Sequence, residues 1–254
     1  MNTEYFANLH QQAEPLVICN VWDAASAKVA EKLSFTAIGT SSAALANVLG
    51  YNDGEELAFD ELLFLVKRIA KATQLPLSVD IESGFSNNPV EVVQNIKQLA
   101  ALGVVGINIE DSQVGSERVI ADGEDFAEFL HQIKVNLEKE EVNVFINVRT
   151  DTFLLGLSEA VIETQKRISL YQEAGADGIF VPCITEAEDI KAVVASTSLP
   201  VNVMCMPDLP NFELLQEYGV KRISMGNFVF DKAQANIEQT LAEVTNSNSF
   251  SPIF

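Results

Sequence analysis

The sequence predicts an α/β fold, a (β/α)8 barrel of the TIM type, and three observations carry that prediction. Short runs rich in Val and Ile alternate with longer amphipathic runs along the whole chain, eight of each. That is the pattern of strands buried on both faces, each followed by a helix. The length of 254 residues suits a single barrel, which takes about 250. The first strand-to-helix turn reads NVWDAAS and lacks the GxGxxG spacing of a doubly wound dinucleotide-binding sheet. No Pro/Gly/Ser-rich linker interrupts the alternation. Residues 1–244 therefore read as one barrel domain and residues 245–254, TNSNSFSPIF, as a C-terminal tail.

The strands are expected at 16–21 (LVICNV), 37–42, 77–82 (LSVDIE), 105–111 (VGINIED), 144–151 (VFINVRTD), 178–182, 201–205 and 222–226. The helices are expected at about 23–33, 59–73, 89–102, 122–139, 158–174, 186–195, 210–218 and 228–244. Several carry their own start signals. Asp60 and its acidic neighbours open the second, Asn88-Pro89 the third with Pro in the first turn, and Ser158 with Glu159 the fifth. Gly103, Gly175 and Gly219 follow helix ends, where a left-handed residue closes the last turn.

Charge and composition narrow the function. With 16 Lys+Arg against 36 Asp+Glu the formal charge is −20, and no basic run occurs. Phosphate backbones and anionic membrane surfaces bind through Lys and Arg, so neither nucleic acid nor membrane is an expected partner. The N-terminal MNTEYFANLHQQAEP has neither a basic n-region nor an apolar h-region, and no apolar run reaches the ~18–20 residues of a membrane span. Cys19, Cys183 and Cys205 are odd in number, far apart and free of any CxxC spacing. They read as reduced thiols packed as small hydrophobes in a cytoplasmic protein. His10 and His131 are the two histidines, too few for a His-rich zinc site, and His131 lies in a helical pattern.

In a barrel of this kind the chemistry gathers at the C-terminal ends of the strands. Strand 1 ends in Asn20, Trp22 and Asp23, and strand 2 in Thr40, Ser41, Ser42 and Ala43. Strand 3 ends in Asp80 and Glu82, strand 4 in Asn108, Glu110 and Asp111, strand 5 in Asn147, Arg149 and Asp151, while strand 7 carries Asn202 and Met204. Side chains two apart on a strand share a face, so Asp80, Glu82 and Glu110 are expected to converge at one mouth. Bare carboxylates in that position repel one another, and a hard divalent cation resolves the repulsion. Oxygen ligands without His or Cys suit Mg²⁺, with Mn²⁺ as a possible substitute. Arg149 would supply a two-pronged clamp for a small anion. The Ser41-Ser42-Ala43 turn offers backbone N–H groups to a carboxylate or an enolate oxygen. Asp53, in the long connection 49–57, can reach over the site. Trp22 and Asn202 complete the candidate substrate contacts. Asp23 and Asp111 have an equally good reading as helix caps.

These residues bring the chain into resemblance with the isocitrate lyase/phosphoenolpyruvate mutase superfamily. The resemblance covers nearly the whole sequence and rests on NVWDAASAKVAE, SSAALANVLGYNDGE, VDIESGF, GINIED, INVRTD and GADGIFVP in that order. It implies a barrel whose eighth helix is exchanged between subunits of a homodimer or homotetramer. It also implies direct Mg²⁺ ligation by Asp80 and water-mediated ligation by Glu82 and Glu110. A small anionic 2-oxo acid would be held by Ser41, Ser42, Ala43 and Arg149, with Asp53 close to metal and substrate.

The departures are as informative. Where the isocitrate and methylisocitrate lyases carry a lysine-rich Cys-Gly-His loop after strand 4, this chain reads SQVGSERVIADGED, without Cys, Lys or His. The Lys-Thr-Asn-Ser-like gating loop of the mutases is missing too. Glu82 stands where many members have Asp. The sequence therefore points first to a Mg²⁺-dependent carbon–carbon lyase on a small 2-oxo carboxylate, of the oxaloacetate decarboxylase kind, because decarboxylation needs no protein base to begin. A phosphonomutase-like isomerase, with Arg118 standing in for the loop cation, and a non-catalytic metabolite-binding member are the alternatives.

Overall fold

The computed structural model describes residues 3–54, 56–114 and 117–254. Its elements run α1 (Thr3–Leu9), β1 (Leu16–Val21), α2 (Ala24–Lys32), β2 (Ile38–Thr40), α3 (Ser42–Leu49), α4 (Phe59–Ala70), β3 (Leu77–Asp80), α5 (Pro89–Ala101) and β4 (Gly106–Glu110). A short pair follows, β5 (Ser112–Val114) and β6 (Arg118–Ile120), then α6 (Gly123–Lys139), β7 (Phe145–Arg149), α7 (Ala160–Glu173) and β8 (Gly178–Val181). The chain ends with α8 (Ala187–Val194), β9 (Val201–Met204), α9 (Phe212–Glu217), β10 (Arg222–Ser224), α10 (Phe228–Ser247) and a 3-10 turn at Ser251–Ile253.

Eight parallel strands close in the order β1-β10-β9-β8-β7-β4-β3-β2, which is the TIM-type (β/α)8 barrel. Every expected strand and helix is present. Strand interiors such as β3 and β4 are buried at every position, as a sheet sandwiched between lumen and helices requires. The main core lies between strands and helices and joins residues such as Ile81, Ile107, Val148 and Ile179 to Leu62, Ile96 and Leu130 of the outer ring.

Helix ends follow local chemistry. Asn88 Oδ1 accepts from Val90 N at 3.0 Å with Pro89 at the first position of α5. The Glu61 carboxylate reaches back to Ala58 N at 3.2 Å and opens α4. Asp23 accepts from Ser26 N at 2.6 Å, so it caps α2. Ser158 and Glu159 do not act as expected: α7 begins at Ala160 and Glu159 makes no side-chain cap. Helix α10 runs to Ser247, three residues into the stretch read as tail, and closes on Asn248 in a left-handed conformation.

Three elements were not foreseen. Helix α1 plugs the N-terminal end of the barrel, where Phe6 packs edge-on against Phe145 and His10 stacks on it at 4.3 Å. Gly106 makes room for this plug, since a Cβ there would sit 2.7 Å from the Phe6 ring. Helix α3 replaces the turn expected at Ser41-Ser42-Ala43. The antiparallel hairpin β5–β6 replaces the loop expected after strand 4; its connecting residues 115 and 116 lie outside the described residues. No helix among the described residues is long and apolar enough to cross a membrane. His131 is exposed, and all three cysteines are free, Cys205 exposed and the other two half-buried.

Candidate active site

A cavity of about 250 Å³ opens at the C-terminal ends of the strands. Ser41, Ser42, Ala43 and Asp80 line one part of it, and Arg149, Arg118 and the Asp53 beside Arg118 line another. The first side is built by β2, β3 and α3. Ser41 caps α3, its hydroxyl accepting from Ala44 N at 3.3 Å. The N–H groups of Ser42 and Ala43 open the helix, where a helix has no intrahelical partner to offer them and its dipole favours anions. The Ser42 hydroxyl donates to Asp80 Oδ2 at 3.1 Å, and Thr40 Oγ1 accepts from Asp80 N at 2.8 Å. Asp80 is only 8% exposed, yet among the described residues no Lys, Arg or His nitrogen pairs with it. Burial therefore raises its pKa, the Arg149 charge opposing from a distance and Asp53 adding to the rise.

The second side is built by β4, β7 and the hairpin. Glu110 and Arg149 are register partners on adjacent parallel strands, and their charges meet at 3.0 Å. Asp151 takes the other edge of the Arg149 guanidinium, from Nε at 2.7 Å and Nη2 at 3.2 Å. Arg118 of β6 places Nη1 on Glu110, on the Ser112 hydroxyl at 2.8 Å and on Asp151 at 3.1 Å. Its Nη2 lies 3.6 Å from Asp53. Burial lifts the Glu110 carboxyl above the usual carboxylate range, opposed by Arg149 and Arg118. Burial alone would depress Arg149, but Glu110 and Asp151 hold it above the usual arginine value.

Behind this layer Asp111 accepts from Tyr171 Oη at 2.7 Å, Arg167 Nη1 at 3.0 Å and Asp151 N at 3.1 Å. It caps no helix; it locks α7 to the backbone that carries Asp151. Neither Arg167 nor Tyr171 was singled out from sequence, although Arg167 and Tyr171 stand one helical turn apart on the same face of α7.

Other expected residues lie off the cavity wall. Trp22 packs edge-on against Phe230 at 5.2 Å. Asn202 is buried in the lumen, bonded to Asn147 at 3.2 Å and Ser224 at 3.1 Å. Strand β3 ends at Asp80, and Glu82 takes a left-handed φ of +50°, so the two-residue alternation that aligned it with Asp80 does not reach it. Glu110 borders a second, smaller cavity of about 140 Å³ behind the hairpin.

The residues fit a divalent cation at one point rather than as a cage. Asp80 is a desolvated hard-oxygen ligand without a cation of its own, and the mouth holds more carboxylates than guanidiniums. A small cation that keeps its waters and takes one or two carboxylates suits that arrangement. No group of three or more His, Cys, Asp or Glu among the described residues is placed to hold a metal ion directly.

Residues 6–245 match the model of the family described as phosphoenolpyruvate phosphomutase. The chain belongs to that family, within the isocitrate lyase/phosphoenolpyruvate mutase superfamily. A phosphonomutase-like protein of Burkholderia cenocepacia J2315 has a similar structure, with a TM-score of 0.89 at 34% identity over 95% of this chain and 98% of its own. An oxaloacetate decarboxylase of Rhodopseudomonas palustris (strain ATCC BAA-98 / CGA009) is 29% identical over 89% of this chain and 78% of its own. A 2-methylisocitrate lyase of Shewanella oneidensis is 31% identical over 74% of this chain and 65% of its own. Superfamily members are thus lyases and mutases, enzymes that generally use a divalent metal.

Proposed function

We propose that this family member is a Mg²⁺-dependent lyase that breaks a carbon–carbon bond in a small 2-oxo carboxylate, in the manner of an oxaloacetate decarboxylase. The observation that carries the reading is Asp80, a buried carboxylate without a guanidinium, set beside the open N-terminus of α3 in a cavity of about 250 Å³. Asp80 would hold the cation directly, with water completing its coordination. When bound, the cation supplies Lewis-acid polarisation of the 2-oxo group.

The chain's own groups do the rest. The Ser42 and Ala43 N–H donors face the place where negative charge develops on the substrate oxygen as the bond breaks, an arrangement worth about 10²–10³-fold per donor. Arg149, fixed by Asp151 and Glu110, offers its remaining N–H groups to the 2-oxo acid. Loss of CO₂ leaves the bonding pair in the enolate of the shortened acid, and solvent returns the proton. No base starts the reaction, which agrees with a hairpin that carries no Cys, Lys or His. Glu117 on that hairpin is exposed.

Arg118 in the cavity wall favours the isomerase reading, since it supplies a cation where the mutases use their loop, and so does the likeness to the phosphonomutase-like Burkholderia protein. A turnover screen decides. CO₂ release from oxaloacetate, dependent on Mg²⁺ and abolished by chelation, is expected, with negligible cleavage of isocitrate or methylisocitrate. Interconversion of phosphonopyruvate and phosphoenolpyruvate without decarboxylation would replace the lyase reading by the isomerase, and binding without turnover by a metabolite-binding role.

We further propose a homo-oligomer, dimer or tetramer. Phe230 is the buried residue of the twenty in α10, while Ile237 and Leu241 on that helix and Phe250, Ile253 and Phe254 beyond it are exposed. Burying such an apolar strip against a second copy is its natural use. Light scattering at the mass of one chain would remove this proposal.

A further inference from the structure

The two guanidiniums of the mouth differ in what they have left to offer. Arg149 has Nε and Nη2 on Asp151 and Nη1 on Glu110, so each of its nitrogens already serves a protein carboxylate and the second N–H of Nη1 and of Nη2 is what it has left. Arg118 is anchored through one nitrogen. Nη1 carries all three close contacts, to Glu110, Ser112 and Asp151, while Nη2 has a loose ion pair with Asp53 at 3.6 Å. That Asp53 side chain is 42% exposed, whereas Asp151 is fully buried. The contact is the kind that screening makes weak and that an incoming anion can displace.

The surroundings hold Arg118 in place. Antiparallel pairing sets Arg118 opposite Val114 in the hairpin. Gly54, at φ +113°, lies against that same Val114, and a Cβ on it would come within 2.6 Å. The connection carrying Asp53 and the hairpin carrying Arg118 are thus packed on one another, and both line the cavity that Ser42 and Ala43 also line.

We propose that Arg118 is the specificity-determining residue for a second carboxylate, so that the site selects 2-oxo dicarboxylates over 2-oxo monocarboxylates. One carboxylate of the substrate lies at the N-terminus of α3; the distal one replaces Asp53 on Arg118 Nη2. The inference deepens the 2-oxo acid lyase reading and rests on it for the placement of the first carboxylate. It also fixes a kinetic signature. An ion pair to a carboxylate that departs as neutral CO₂ is made in the ground state and lost as the bond breaks, so it favours binding and not the chemical step.

The test uses malate and 2-hydroxybutyrate, a pair that differs in a carboxylate against a methyl group and that decarboxylation cannot consume. Calorimetry on the Mg²⁺-loaded wild-type protein should show malate bound ~10–100-fold tighter, the usual range for a charge-assisted hydrogen bond. Arg118→Gln should bring the two ligands within about two-fold by weakening malate alone. Arg118→Lys keeps the charge on Glu110 and Asp151 but cannot also reach the cavity, and should lose the preference equally. It keeps the test valid should the Gln variant fold poorly. A wild type that does not distinguish the ligands, or an Arg118→Lys protein that still prefers malate, overturns the proposal. Oxaloacetate kinetics give an independent readout: in the variants KM should rise with kcat unchanged or higher, and a fall in kcat as large as the fall in kcat/KM also overturns it. Absence of oxaloacetate turnover in the wild type would count against the lyase reading, while the malate preference still judges Arg118.

Discussion

Asp80 lines the cavity and Asp151 lies behind the two guanidiniums that line it, both are buried, and the protein treats them in opposite ways. Asp151 is enclosed by two guanidiniums, a serine hydroxyl and the Asp111 carboxylate on its own backbone N–H. Asp80 receives one serine hydroxyl and a 3.4 Å contact from Glu82 N. The β4–β7 side is therefore a finished ionic framework, closed by its own partners and preorganised before any ligand arrives. The β2–β3 side is left electrostatically incomplete. A buried charge without a partner lowers stability, and its usual justification is a ligand that completes it.

That contrast makes predictions, the largest first. Asp80→Ala should remove measurable Mg²⁺ binding by calorimetry and lower turnover by at least ~10²-fold, while circular dichroism stays that of the folded barrel. The comparison sharpens with amides. Asp151→Asn leaves two buried guanidiniums short of a partner and should cost about 3–5 kcal/mol in denaturant unfolding. Asp80→Asn should leave the unfolding midpoint unchanged or raise it, because it removes a desolvated charge. Equal destabilisation by both amides would show that Asp80 is as well satisfied as Asp151 and would break the comparison.

The plugged end of the barrel supplies a control far from the ligand. Burial, with the Arg222 charge behind it, lowers the His10 pKa to about 3. A folded value below the unfolded 6.5 means that this contribution is complete above pH 6.5 and is lost as pH falls towards 3. Between pH 7 and pH 5 it should amount to about 2 kcal/mol. His10→Gln should flatten that part of the urea-unfolding pH profile; an unchanged profile would mean that His10 titrates normally.

The smallest effect expected is at Arg149. Arg149→Lys keeps a charge near Glu110 but cannot bridge Glu110 and Asp151 with a planar fork. KM for the 2-oxo acid should rise about ten-fold with a fall in kcat, roughly 1.4 kcal/mol in binding. Unaltered kinetics would assign Arg149 wholly to the framework.

The barrel was legible because its signals are local. Alternating Val/Ile runs, amphipathic stretches and Gly103, Gly175 and Gly219 past the helix ends each report on a few consecutive residues, and those glycines do sit at positive φ. Strand-end position likewise brought Ser41, Ser42, Ala43, Asp80 and Arg149 to one cavity, and the 49–57 connection brought Asp53 to it. What the chain could not reveal by itself depends on distant partners. Period-two alternation ends where a strand ends, so it could not follow Glu82 beyond Asp80 into a left-handed turn. Helix α3 was hidden in a short apolar run that reads equally well as a loop next to a strand. The engagement of Arg149 by Glu110, the Asp111–Arg167–Tyr171 lock and the hold of Arg118 on Asp151 join residues up to 60 positions apart. Sequence alone determined which residue types stand at the mouth of the barrel. Only the tertiary structure decided which of their charges are already neutralised, because that depends on burial and on distances between strands that no single segment encodes.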